Sequence, residues 1–337
     1  MTSARTDRAR GALVGLAIGD ALGMPTQMLS RERIRELIGE LDGFVPAPVE
    51  NEISSGTQAG RVTDDTDQAV ILGQLLIEGN GRVRADEFAK RLLAWQETMV
   101  RIGSADLLGP STRRALEAFQ RGVPAEQTGR WGDTNGAAMR VTPIGIALPC
   151  DPLDRFVDVV ADTNRVTHDT TVANAGAAAV AAAVSAGIDG ADLEQAAVIG
   201  IEAARRGAQR GHYVSGADVA ARTAWARQVV RDTVGDPLEV VYTLIGTGVA
   251  TQEAVPAAFA IASLYPSDPW TACVAAAGLG GDSDTVAAMA GAILGACNGL
   301  SAFPERAVGT LMSANPDLRL ADLADQLLDL RDRTSGG

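Results

Sequence analysis

The chain has 337 residues, 46% of them hydrophobic and only 4% aromatic, so its core must be built mainly from Ala, Val, Leu and Ile. The net charge of −13 argues against nucleic acid and against anionic membrane surfaces as general partners, because both attract basic proteins. Cys150, Cys273 and Cys297 are an odd number without metal-type spacing, and we interpret them as reduced core residues of a cytoplasmic protein.

The N-terminal segment contains an apolar run, residues 11–18, preceded by three arginines. The run resembles a signal peptide, but Asp20 interrupts it, no clear cleavage motif follows, and it is too short to span a bilayer. Gly11, Gly15 and Gly19 recur every four residues. They predict a helix face with almost no side chains, which another backbone can approach closely.

The first acidic cluster, residues 63–67 (TDDTD), follows the longest polar loop, residues 46–61. The apolar residues of 69–76 predict a buried helix directly after this cluster. Carboxylates are favoured at helix N-termini, where free N–H groups and the helix dipole stabilise them. A helix cap is therefore one explanation of the cluster.

The middle of the chain has almost no alternating strand pattern, and it contains no linker or repeat. The stretch 171–185 is so rich in Ala that it should be a helix buried on all sides. We predict a single all-α domain over residues 1–333 and a frayed tail over residues 334–337. Further helices are predicted at residues 86–100, 153–160, 192–205, 217–230, 253–262, 270–277, 304–312 and 318–330.

The second acidic cluster, residues 280–285 (GGDSDT), also precedes an apolar stretch, residues 286–296, that is rich in Ala and Gly. Because there are two clusters of the same kind, we expect a shared role for them in addition to that of two separate helix caps. If the fold brings them together, their oxygens form a site for hard cations such as Mg²⁺ or Mn²⁺. The sequence pattern alone leaves both interpretations open.

Four motifs occur in order along most of the chain. They are 15–23 (GLAIGDALG), 63–66 (TDDT), 135–140 (NGAAMR) with 143–145 (PIG), and the second acidic cluster followed by Ala287, Gly291 and Gly295. Each motif alone is weak, but the four in this order are specific, and they resemble the ADP-ribosylglycohydrolase family, which includes the dinitrogenase reductase-activating glycohydrolases. The family fold is an all-α orthogonal helical bundle, in agreement with the predicted helices.

The resemblance implies a binuclear site for two divalent cations, Mg²⁺ or Mn²⁺, that orients ribose hydroxyls and activates a water at the anomeric carbon. The implied metal ligands are Thr63, Asp64, Asp65, Asp282, Asp284 and Thr285. The implied substrate contacts are Asn135, Gly136, Ala137 and His168. An ordinary cap at residues 135–137 and a capping or core role for His168 remain open.

A few other polar and aromatic residues are candidates for the same pocket. Asp20 and Asp67 either orient ligands or are polar helix ends. Trp131 and Tyr213 could stack on an adenine, although we favour a core position for both.

Gln27 departs from the family, because many members carry a Glu at the matching position to position or deprotonate the attacking water. Gln cannot act as a base at neutral pH. Asp65 is then the expected catalytic carboxylate, with Gln27 contributing hydrogen bonds. Alternatively, Asp106 or Asp133 substitutes for the missing Glu, or activity is lost.

The resemblance implies a metal-dependent hydrolase that cleaves an N- or O-ribosyl bond at the anomeric carbon of an ADP-ribosylated protein or an ADP-ribosyl small molecule. One alternative is a hydrolase of a smaller nucleoside or nucleotide riboside. Another is a catalytically weak or inactive ADP-ribose-binding module. A prenyl synthase is disfavoured, because the acidic spacing differs and few aromatic residues are available to shelter a carbocation.

Overall fold

The computed structural model of the protein describes residues 3–101 and 108–335. Outside the helices, these residues form only isolated β-bridges, between Thr134 and Ala250 and between Thr170 and His212. The prediction of an all-α fold is therefore confirmed. In chain order the helices are α1 (Ala4–Gly23), α2 (Arg31–Leu37), α3 (Asp64–Glu78), α4 (Ala85–Arg101), α5 (Pro110–Gln120), α6 (Ala125–Thr128), α7 (Gly136–Met139), α8 (Thr142–Ala147), α9 (Leu153–Asn164), α10 (Thr171–Ile188), α11 (Leu193–Gly207), α12 (Val219–Asp232), α13 (Pro237–Val240) with a π-helical turn (Val241–Ile245), α14 (Thr251–Leu264), α15 (Pro269–Ala277), α16 (Ser283–Asn298) with a 3₁₀ turn (Leu300–Ala302), α17 (Glu305–Ala314) and α18 (Leu320–Ser335).

Helices α1 and α16 pack with their backbones in direct contact. A Cβ added at Gly15 would lie 2.4 Å from the carbonyl oxygen of Gly291, and one at Gly19 would lie 2.1 Å from that of Ala287. A carbon atom cannot approach an oxygen so closely, so this packing requires glycine on α1. The predicted helix face without side chains is confirmed.

The same contact brings the end of α1 to the start of α16. A Cβ on Gly23 would lie 2.3 Å from the Cα of Asp284. Asp20 lies within the last two turns of α1 and is fully buried. The α1–α16 packing therefore positions carboxylates from both helices next to each other.

Helix α10 lies in the core, as its Ala-rich sequence predicts. It packs against α8, α9, α11 and α16. By length and composition it could cross a membrane, but 94% of it is buried inside the fold. That burial is typical of the core helix of a globular protein, so the prediction of a helix packed on all sides is confirmed.

Other parts of the structure differ from the sequence prediction. Helix α18 continues to Ser335, into the segment predicted as a frayed tail. Trp131 and Tyr213, which we favoured for the core, are 59% and 81% exposed. Both lie in loops, where their side chains stay largely exposed. The prediction of a core position for these two residues is wrong.

Candidate functional site

The two acidic clusters lie together in the fold. Thr285 Oγ1 donates a hydrogen bond of 3.4 Å to Asp65 Oδ2, across a sequence separation of 220 residues. One carboxylate oxygen from each of Asp20, Asp65 and Asp284 lies within 4.8 Å of the other two. The N-termini of α3 and α16 therefore face one another, and their first turns supply Asp65 and Asp284, while α1 supplies Asp20. We call these three carboxylates, together with the neighbouring Asp64 and Asp282, the acidic centre.

Asp20 ties α1 to the first turn of α3. Its carboxylate accepts hydrogen bonds from the backbone N–H and the hydroxyl of both Thr63 and Thr66, at distances from 2.5 to 3.1 Å. Thr63 does not cap α3 with its own side chain, so Asp20 satisfies N–H groups that a helix start leaves free. Burial raises the pKa of Asp20 to about 6, and these hydrogen bonds partly oppose that rise.

A glycine turn positions the second acidic cluster. Gly280 and Gly281 adopt φ values of +78° and +68°, which favour glycine. A Cβ at Gly280 would lie 2.2 Å from the carbonyl oxygen of Leu29. Directly after this turn, Asp282 Oδ2 accepts a hydrogen bond of 2.5 Å from Asn135 Nδ2. The start of α7 is thereby attached to the acidic centre.

The carboxylates at this centre are buried and repel one another. Burial raises the pKa values of Asp64, Asp65 and Asp284 well above the usual range, and the charges of neighbouring carboxylates raise them further. Asp65 Oδ1 is buried and has no hydrogen-bond partner among the described residues. Hard oxygen donors with uncompensated negative charge are the ligands that Mg²⁺ and Mn²⁺ prefer, so these residues fit divalent cations.

A cavity of about 420 Å³ opens above the acidic centre. Ligand pockets in proteins have about this size, on the order of 300–1,000 Å³. The cavity brings together Gln27, four carboxylates of the acidic clusters, the start of α7 and one side of α5. Its described lining residues are Gln27, Met28, Ile53, Asp64, Asp65, Leu108, Gly109, Pro110, Thr112, Arg113, Arg114, Glu117, Thr134, Asn135, Gly136, Met139, Val249, Asp282, Asp284 and Thr285.

Gln27 lies on the cavity wall and is almost fully buried. Its side-chain Nε2 donates a hydrogen bond of 3.2 Å to the backbone carbonyl of Met24, and the backbone carbonyl of Gln27 accepts one of 3.0 Å from Asn51 Nδ2. Both contacts hold the residue in place. The amide therefore occupies a fixed position beside the carboxylates.

The predicted substrate contacts have different positions. Asn135 and Gly136 line the cavity, whereas Ala137 and His168 do not belong to its described lining. The imidazole of His168 lies directly behind Gly136, where a Cβ would be 2.7 Å from the imidazole Cε1. Burial lowers the pKa of His168 well below its usual value, and the charge of Arg140 lowers it further. His168 is therefore a neutral, buried group behind the cavity wall.

The remaining sequence candidates lie away from the cavity or outside the described residues. Asp67 accepts a hydrogen bond of 2.9 Å from Trp95 Nε1. Asp133 is exposed and is not among the described lining residues. Asp106 lies outside the described residues.

Sequence reasoning missed the wall formed by α5. This helix contributes Thr112, Arg113, Arg114 and Glu117 to the cavity. A charged, amphipathic helix is typical of a protein surface, so its pattern gave no indication of a ligand site. Thr134, next to the recognised motif, was missed as well.

A model of the ADP-ribosylglycohydrolase family matches residues 1–336. The chain belongs to the ADP-ribosylglycohydrolase family. It is 38% identical to YegU of Escherichia coli (strain K12) over 302 residues, which cover 89% of this chain and 90% of that protein. It is 29% identical over 304 residues to the ADP-ribosylarginine hydrolase Tri1 of Pseudomonas putida (strain GB-1), with coverage of 88% and 72%.

A solved structure of an ADP-ribosylglycohydrolase-related protein complex is similar over almost the whole chain. The TM-score is 0.71 at 25% identity, with coverage of 97% of this chain and 98% of that one. The helical fold predicted from the family resemblance is thereby confirmed. Membership of the ADP-ribosylglycohydrolase family supports hydrolysis of a glycosidic bond in an ADP-ribosylated substrate.

Proposed function

We propose that the chain is a divalent-cation-dependent hydrolase that cleaves the bond between the ribose anomeric carbon and its substituent in an ADP-ribosyl substrate. The observation that carries this proposal is the meeting of both acidic clusters beneath one cavity, where Asp65 Oδ1 has no hydrogen-bond partner within residues 3–101 and 108–335. The family match and the similarity to the ADP-ribosylarginine hydrolase Tri1 support the ADP-ribosyl class of substrate.

The side chains that would hold the cations come from both helix starts. They are Thr63, Asp64, Asp65, Asp282, Asp284 and Thr285. Divalent cations held there would supply positive charge to bind ribose hydroxyls and to favour deprotonation of a water. A ribose held in place would lose less entropy on reaching the reactive arrangement.

Asp65 and Gln27 are the candidates for handling the attacking water. Asp65 Oδ1 has no hydrogen-bond partner among the described atoms and can accept a proton. Gln27 Nε2 donates to the backbone carbonyl of Met24, which fixes the orientation of the amide. Its other side-chain atom, Oε1, is the acceptor for a hydrogen bond from a water or a ribose hydroxyl. In this arrangement Asp65 is the base and Gln27 positions the water.

A hydrolysis screen in the presence of Mg²⁺ or Mn²⁺ tests the proposal. The substrates are ADP-ribosylarginine, ADP-ribosylserine, free ADP-ribosyl compounds and simple nucleosides. We expect release of ADP-ribose from at least one ADP-ribosyl substrate, and loss of that release with chelator. Cleavage of simple nucleosides alone would replace this proposal with the hydrolysis of smaller ribosides.

Gln27 favours a second candidate, an ADP-ribose-binding module without turnover. A carboxylate base is missing at this wall position, because an amide cannot accept a proton at neutral pH. Calorimetry with ADP-ribose separates the two functions. Tight binding combined with no turnover of any substrate in the screen would support the binding module.

A further inference from the structure

A continuous chain of hydrogen bonds runs through the core behind the cavity and joins two of its lining residues, Asp64 and Thr134. The chain crosses from α3 through the end of α7 to the loop before α10. Its intermediate members are all buried, with at most 1% exposure. They are Gln68, Arg140, Thr167 and His168.

Arg140 lies in the middle of this chain and can only donate hydrogen bonds. Toward α3 it donates from one guanidinium nitrogen to Gln68 Oε1 at 2.7 Å. The amide of Gln68 is thereby oriented with its Nε2 toward Asp64 Oδ2, at 2.9 Å. This branch therefore ends in a donor that stabilises a carboxylate of the acidic centre.

The other branch starts at the second guanidinium nitrogen of Arg140, which donates to Thr167 Oγ1 at 2.5 Å. Thr167 is fully buried, and its hydroxyl has one other hydrogen-bond partner among the described residues, His168 Nδ1 at 2.8 Å. The Thr167 hydrogen is satisfied only if it points to that nitrogen, because a buried hydroxyl without an acceptor is unfavourable. His168 Nδ1 then carries no hydrogen.

The imidazole of His168 connects Thr167 to Thr134 on the cavity wall. Since Nδ1 accepts, neutral His168 carries its hydrogen on Nε2 and donates to Thr134 Oγ1, 3.0 Å away. The hydroxyl hydrogen of Thr134 cannot return to His168 and is free to turn to the cavity that Thr134 lines. The absence of a side chain at Gly136 lets the ring reach this position.

We propose that Arg140 is a positioning residue that fixes the direction of this hydrogen-bond chain, and that Thr134 is a ligand-binding residue that donates its hydroxyl hydrogen to an acceptor oxygen of the substrate. The identity of that oxygen, on a phosphate or the ribose of an ADP-ribosyl group, rests on the proposed function. The direction of the hydrogen-bond chain does not depend on the proposed function. His168 accordingly acts through Thr134 and does not itself contact the ligand.

The tautomer of His168 in the unliganded protein tests the direction of the hydrogen-bond chain. The protein has only two histidines, so a His212→Asn variant assigns the ¹H–¹⁵N imidazole spectrum. We expect His168 to show a protonated Nε2 and an unprotonated Nδ1 at pH 7. A hydrogen on Nδ1 would overturn the proposal, because Thr134 would then donate to His168 and not to a ligand.

Matched variants of Thr134 test the donated hydrogen bond. Thr134→Ser keeps the hydroxyl, whereas Thr134→Val keeps the shape and removes it. By calorimetry, Thr134→Val should bind ADP-ribose about tenfold more weakly than wild type, the loss expected for a hydrogen bond to a charged group. Thr134→Ser should stay within about twofold of wild type, since it retains the donor.

Equal affinity of Thr134→Val and wild type would overturn the role of Thr134 while leaving the proposed function in place. No binding of ADP-ribose by wild type would contradict the proposed function, and the His168 tautomer would still decide the direction of the chain. Arg140→Gln can donate and accept, so it should allow both His168 tautomers if the variant folds. A single unchanged tautomer in folded Arg140→Gln would contradict the positioning role of Arg140.

Discussion

Asp65 and Asp67, two residues apart in α3, have carboxylates in different surroundings. Asp67 accepts a hydrogen bond from the indole of Trp95, whereas Asp65 faces Thr63 and Thr285 at the acidic centre. The first acidic cluster therefore contains one half-buried carboxylate that is hydrogen-bonded to α4. Asp67→Asn is the control for removal of a charge from the acidic centre, because it removes a nearby charge from the same helix.

Asp284→Asn should weaken the binding of at least one divalent cation by tenfold or more, because it removes an anionic ligand. Asp67→Asn should bind like wild type, because Asp67 contacts Trp95. Calorimetry with Mn²⁺ measures both. A cation at a hundred times its Kd should raise the free energy of unfolding of wild type by ~2.7 kcal/mol. Unchanged cation binding by Asp284→Asn would remove this residue from the metal site.

Gly19→Ala should destabilise the protein by about 1–3 kcal/mol, because the added Cβ would meet the carbonyl oxygen of Ala287 at 2.1 Å. Gly309→Ala in α17 is the matched control, since nothing lies within 4 Å of the added carbon. Alanine is the better helix former, so Gly309→Ala should stabilise by about 0.5–1 kcal/mol. Urea unfolding measures both, and equal effects of the two substitutions would contradict the proposed backbone contact.

Gln27→Glu should raise the kcat for an ADP-ribosyl substrate by about tenfold, because the new carboxylate would be a second base beside Asp65, and general-base catalysis as a whole contributes on the order of 10²–10⁴-fold. The gain is reduced because the substitution loses the hydrogen bond from Nε2 to Met24. Gln27→Met, which has neither a base nor an amide, is the control. Lower turnover would indicate a substrate to which Gln27 is adapted. No change on any substrate would exclude Gln27 from the chemistry.

The buried imidazole of His168 makes stability depend on pH. Its pKa is lowered well below 6.5 by burial, so below that pH the unfolded chain binds a proton that the folded chain does not. The free energy of unfolding therefore falls as pH decreases from 7 to 5, with a slope from this group approaching ~1.4 kcal/mol per pH unit. At higher pH the contribution is constant.

The variant His168→Gln isolates this effect, because the buried carboxylates with raised pKa values act in the opposite direction in both proteins. Urea unfolding in chelator, at several pH values, should give a steeper loss of stability toward pH 5 for wild type than for His168→Gln. Parallel curves would mean that His168 titrates normally in the folded protein.

The sequence predicted the main helices because their apolar periodicity is local information. It also predicted the packing face of α1, because glycines four residues apart can only lie on one side of a helix. The meeting of the acidic clusters is a long-range property. Their matching chemistry suggested it, and the family resemblance implied it. Asp20 gave little signal, because its four hydrogen-bond donors belong to residues that lie far away in the chain.

The cavity wall was the least predictable part of the site. Arg113, Arg114 and Glu117 have the pattern of a solvated helix face, and nothing in that pattern says which other element the face meets. His168 was predicted as a substrate contact, but its place behind Gly136 depends on how closely α7 and the loop before α10 pack. The spacing of residues along the sequence does not distinguish a side chain that contacts the ligand from one that acts through a neighbouring residue.

The most direct test of the central claim measures the initial rate of ADP-ribose release from ADP-ribosylarginine by wild type, Asp284→Asn and Asp67→Asn during a titration with Mn²⁺. We predict a rate that rises from zero with Mn²⁺ for wild type and Asp67→Asn, and that stays at least tenfold lower for Asp284→Asn. Release that is equally fast in chelator, or in Asp284→Asn at low Mn²⁺, would contradict a cation-dependent centre built from the two acidic clusters.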